Sequence, residues 1–195
     1  MSVGPRAGAA AAVLLAAALL CACLGGMPRD TVTRAIVTAP GAALNLPLHE
    51  SRAHWLMRDL PRWCGAAEAQ WGGGPDDRAA MTARAARFRD ETAAARALDR
   101  LTPEYLSVAF QDQIAEGPYP IDYPEPLPGD EAKVNEYNVR LPLEIAADTQ
   151  LQGQLTAVRT GKVVILTESI GVPSEELIPA FEAMVAAAAP AAKGC

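Results

Sequence analysis

The chain is poor in the residues that usually carry chemistry. It has two histidines in 195 residues. Both lie in His49-Glu50-Ser51-Arg52-Ala53-His54, one residue longer than the spacing with which a zinc protease helix offers two imidazoles to one ion. Five residues apart on a helix, the rings point about 140° away from each other, so no metal site is expected. No Gly-x-Ser-x-Gly is present. Thr160-Gly161-Lys162 is not a phosphate loop, because position 156 is Thr and the context is a turn between strands. Basic charge is also scarce, with 17 Lys+Arg against 23 Asp+Glu. That balance excludes nucleic acid and charge-driven docking on anionic lipid. The paired acids Asp130-Glu131 and Glu175-Glu176 read as solvated or helix-start residues. No internal repeat is visible. No catalytic residue, metal or cofactor is therefore expected, and the expected class is not an enzyme.

What is present begins at the N-terminus. Arg6 precedes an apolar run over residues 7–20, too short to span a bilayer, which takes roughly 20 residues. The run ends in Leu20-Cys21-Ala22-Cys23. Cys21 follows the bulky Leu20, whereas Cys23 follows the small Ala22 with Leu20 at the outer position. The pattern is similar to bacterial lipoprotein signals and selects Cys23 as the lipidated residue. This predicts a signal peptide over residues 1–22, a lipidated tether over 23–30 containing Gly25-Gly26, and one extracytoplasmic domain over 31–195. Acyl chains such as palmitate anchor firmly, because each buried methylene contributes about 0.8 kcal/mol. Removing Arg6 with the signal leaves 16 basic residues against 23 acidic ones, a formal charge of −7, so the lipid and not charge is expected to hold the membrane. The excess of Arg over Lys and the abundance of Ala fit a high-GC genome and, with the lipobox, an actinobacterium.

Two cysteines remain after processing, Cys64 and Cys195. Outside the cytoplasm two thiols oxidise, and the simplest arithmetic is one Cys64–Cys195 disulfide. Trp55, Trp63 and Trp71 stand eight residues apart. On a helix that spacing returns to within about 80°, so the three indoles fit either a core packed beside the disulfide or an exposed ligand surface.

Thr31–Thr38 is β-branched and reads as a strand. Residues 50–71 read as two helical pieces broken at Pro61. Residues 77–101 are rich in Ala, Arg and Glu and read as one long helix with Met81, Ala85, Phe88, Ala95, Leu98 and Leu101 inward. Thr102-Pro103 reads as a helix start, and residues 105–113 as a short helix or a strand. Residues 117–129 carry five prolines and read as an extended surface segment, not a helix or central strand. Strands are expected over 138–145, 151–158 and 163–168. Arg159-Thr160-Gly161-Lys162 makes a hairpin, and 163–166 should be covered on both faces. A last helix runs over 175–189. The order predicts an α+β domain, an antiparallel sheet of about four to five strands with helices packed on one face.

Three segments carry a resemblance. They are Ala86-Arg87-Phe88-Arg89-Asp90 running into Ala93–Leu98, Pro128-Gly129-Asp130-Glu131-Ala132 before a strand, and Val158-Arg159-Thr160-Gly161-Lys162-Val163-Val164 before a final Ala-rich helix. In that order they resemble ectodomains of actinobacterial lipoproteins and the sensor domains of receptor-type Ser/Thr kinases. The resemblance spans residues 86–190 and implies an α+β fold with a cleft between sheet and helices, and a sensing or binding role without catalysis. The expected function is thus a lipid-anchored protein of the extracytoplasmic membrane face that binds a small ligand or envelope component. The alternative is a structural or assembly accessory of the cell envelope acting through a protein partner.

Overall fold

Val163–Leu166 is so continuously apolar that it needs cover on both sides, and it opens the strand Val163–Ile170 inside a seven-stranded antiparallel sheet. The computed structural model describes residues 31–52, 63–73, 79–123, 126–139 and 151–191. In chain order these form α1 (Thr31–Thr38) with a 3-10 turn (Ala39–Ala42), β1 (Leu48–Arg52), β2 (Trp63–Gly72), β3 (Ala80–Phe88), α2 (Glu91–Arg100), α3 (Pro103–Ala109), β4 (Ile114–Pro120), β5 (Glu131–Val139), β6 (Gln152–Thr160), β7 (Val163–Ile170) and α4 (Ser174–Ala191). The sheet order is β1-β2-β3-β7-β6-β5-β4.

The fold is α+β and antiparallel, as expected, but the sheet has seven strands instead of four to five. Of the added strands, β2 and β3 lie where helix was expected, β1 overlaps the start of that stretch, and β4 lies where an extended surface segment was expected. Residues 80–88 are rich in good helix formers, yet they pair along their whole length with both β2 and β7. Tertiary pairing overrides a propensity worth only tenths of a kcal/mol per residue. The same holds for Ala-rich β2, where two helical pieces were expected. Residues 53–62, with Pro61, lie outside the described residues.

Helices cover both faces, which corrects the expectation of one. On one side α1 and α4 pack over Ala67, Ala69, Met81, Ala83, Ala85 and Ile165. On the other, α2 and α3 pack over Ala86, Phe88, Leu155, Val164 and Leu166. Alternate residues of β3 and β7 therefore feed two separate cores. The sequence-predicted first strand is the helix α1. It buries Thr33, Ile36 and Val37, a spacing of three and one that only a helix places on a single face.

Other boundaries follow local chemistry. Asp90 caps α2, its Oδ1 accepting from the Ala93 amide at 2.7 Å. Thr102 caps α3 with Pro103 in the first turn, its Oγ1 accepting from Tyr105 N at 3.3 Å. Gly161 turns the β6–β7 hairpin at φ +53°. The proline-bearing β4 is an edge strand, the position left to a segment short of amide donors. The strand expected over 138–145 begins earlier, as β5, and residues 140–150 lie outside the described set.

Candidate functional site

The proline-rich segment after β4 builds a cleft. Pro120 pairs with Asn135 at the end of the β4–β5 ladder, and the Ile121 amide makes one more bond to Val134 O at 3.0 Å. The chain then leaves the sheet edge and rejoins it at Asp130. There the Asp130 amide donates to Arg159 O at 2.8 Å. The Asp130 carboxylate accepts from Gly161 N at 2.6 Å and Arg159 Nη1 at 3.1 Å. Asp130 is thus a turn anchor, not merely a solvated acid.

Held at both ends, this segment faces the α2–α3 corner across β5. The cleft between them has a volume of about 470 Å³ and is lined by Leu101, Thr102, Pro103, Tyr123, Lys133 and Asn135 among others, within the usual size of small-molecule sites. Asn135 is only 4% exposed. Lys133 is occupied, its Nζ donating to Leu98 O at 3.1 Å and lying 3.5 Å from Asp99. The Tyr123 hydroxyl is buried with no hydrogen-bond partner.

A charged cluster lies on the same face of the sheet. Glu68 of β2 stands opposite Arg84 of β3, and Thr82 of β3 stands opposite Glu168 of β7. Arg84 Nε donates to Glu68 Oε2 at 2.7 Å, while its Nη1 lies 3.6 Å from Glu168 Oε2. The guanidinium stacks 5.1 Å from the centre of the Phe110 ring. Tyr137 Oη donates to Glu168 Oε1 at 3.0 Å. With its amide nitrogen turned toward Glu168, Gln113 donates to Oε1 at 2.6 Å.

Two buried carboxylates thus share one guanidinium. Burial pushes the Glu168 carboxyl above the ordinary range; Arg84 opposes this and Glu68 adds to it. Burial, with Glu168 beside it, also pushes the Tyr137 hydroxyl up, so it stays protonated. A cavity of about 240 Å³ adjoins Glu168, with Gln70, Thr82, Asp112 and Gln113 in its wall.

The residues singled out in the sequence are scattered. Trp71 is 4% exposed and belongs to the core under α1 and α4, where a side chain at Gly41 would press on its ring. Trp63 begins β2, and Trp55 lies outside the described residues. Cys64 is on β2 with Sγ 3.4 Å from Arg87 O. Its expected partner Cys195 lies outside the described residues, as do Cys23 and residues 1–30. His49 is exposed on the edge strand β1 and not on a helix, and His54 is outside the described set. Among the described residues no group of three His, Cys, Asp or Glu is placed to hold a metal ion, and no helix is long and apolar enough to cross a membrane.

Sequence reasoning missed Glu68, Arg84, Glu168, Tyr137, Asn135 and Tyr123. One signal was available: Glu168 closes an apolar strand at a position whose neighbours two and four residues back are core.

The sequence matches no protein-family model and no curated protein. Among solved structures, the chain is similar to the extracellular domain of PknH from Mycobacterium tuberculosis. The TM-score is 0.49 at 7% identity, with 77% of this chain and 88% of that domain covered.

Proposed function

We propose that this chain is a lipoprotein of the extracytoplasmic membrane face, anchored through lipid on Cys23, that binds a small ligand or envelope component without chemistry. The observation that carries the binding role is the cleft of about 470 Å³ between β5, the proline-rich segment and the α2–α3 corner. It combines an apolar lining with a few inward polar groups, the composition of small-molecule sites. The anchor rests on the lipobox, and the folded unit over 31–195 on one continuous sheet clad by helices.

Two measurements test the two halves. Cys23→Ala should move the protein from the membrane fraction to the medium, and retention on the membrane would sink lipid anchoring. Native mass spectrometry of the mature protein released from detergent should show a reproducible non-protein adduct. A bare mass would shift the reading to the second function, an envelope accessory acting through a protein partner. That alternative draws support from α3, where Val108 is 72% exposed and Tyr105, one turn before it, is exposed too. Cross-linking in the intact envelope would then identify the partner.

A further inference from the structure

Resting on the reading of the 470 Å³ cleft as a binding site, we infer that it takes a neutral, hydroxyl-rich ligand, a saccharide unit, held by the Asn135 amide and the Tyr123 hydroxyl. Two independent features point there. Asn135 is more than nine-tenths buried on β5 and lines the cleft. Tyr123 places a hydroxyl in the same wall, buried and without a partner. A buried polar group left unpaired destabilises a fold by about 1–3 kcal/mol, so an orphan of this kind in a ligand wall needs an explanation.

The chemistry of the wall narrows the ligand. A primary amide and a phenol each donate and accept, as sugar hydroxyls do. Leu101, Pro103 and the Tyr123 ring offer apolar surface for the C–H faces of a sugar ring. An anion would need a free cation, but Lys133 is already committed to Leu98 O and Asp99. An anion would also be desolvated beside Leu101 and Asn135 at high cost and would share the wall with the Asp122 carboxylate. An acyl chain would fill the apolar part and leave both polar groups unpaired.

The test is NMR titration of the ¹⁵N-labelled full-length mature protein in detergent micelles. The probes are maltose and cellobiose, with decanoate, glucose 6-phosphate and a short acetylated proline peptide as contrasts. The expected result is saturable movement of the Asn135 side-chain amide signals and the Tyr123 amide with a neutral disaccharide. Asn135→Ala should weaken binding by about tenfold or more, the scale of one lost buried hydrogen bond. Tyr123→Phe keeps the ring and removes the orphan. It should raise the melting temperature of the free protein while weakening saccharide binding, a pair of opposite signs that a merely structural tyrosine would not give. Absence of saturable shifts with both disaccharides overturns the inference. If decanoate, the phosphate or the peptide moves the same signals instead, the saccharide class falls and the cleft survives as a binding site. If no probe moves them and native mass spectrometry shows no adduct, the binding function falls with it.

Discussion

Gly153 illustrates how single residues position the buried cluster. It stands opposite Tyr137 across the β5–β6 ladder, and a methyl group there would collide with Tyr137 Cζ, Cε1 and Oη. Only a bare backbone lets the ring lie across β6 and deliver its hydroxyl to Glu168. Gly153→Ala should therefore destabilise by about 1–3 kcal/mol, the usual cost of overpacking, read as a lowered urea midpoint. An unchanged midpoint would mean that the ring has another resting place. Glu168 itself should make stability depend on pH. The folded protein holds its proton more tightly than the unfolded chain does, because burial raises the carboxyl. The contribution is then complete below the ordinary glutamate value, about 4.3, and declines as pH rises from there to the raised value. Glu168→Gln should remove that decline. A urea midpoint followed across this window would check it, and parallel curves for the two proteins would refute the assignment.

Elements were legible where local chemistry and tertiary pairing agree. The β6–β7 hairpin follows from alternation around Gly161, and α3 follows from Thr102-Pro103. The prolines of 117–129 ruled out a helix or a central strand, which fits the edge position of β4, but the segment was read as an extended surface stretch and not as a strand. The segment 77–101 was misread because Ala and Arg favour a helix locally while the pairing partners, β2 and β7, lie far off in sequence. Its second half was right, since Asp90 opens α2 with a side-chain cap. That cap also separates strand from helix, so it is testable in isolation. Asp90→Ala should cost about 1 kcal/mol, with Asp90→Asn recovering most of it in thermal melts; equal losses in both variants would assign the effect to something other than capping. The cleft was illegible for a different reason. Asn135 and Tyr123 lie in unremarkable sequence, and only the return of the proline-rich chain to Arg159 sets them in one wall.

At the scale of the molecule, the proposed lipid on Cys23 and the proposed Cys64–Cys195 bridge would each constrain one end of the chain. The last helix α4 buries Met184 and Ala188 in the same core as Ala67 and Ala69 of β2, the strand that carries Cys64. Cys195 itself lies outside the described residues, so the Cys64–Cys195 bridge stands as a proposal resting on the cysteine count. The loop it would close takes in most of the domain, so the chain-entropy account gives about 4–5 kcal/mol as an upper bound. In a domain of this size each kcal/mol moves the melting temperature by about 2–4 °C. Cys195→Ser should thus lower it by several degrees, Cys64→Ser by a similar amount, and the double variant by no more than the larger single loss. That non-additivity is the decisive reading, because two separate thiols would act independently and their effects would sum.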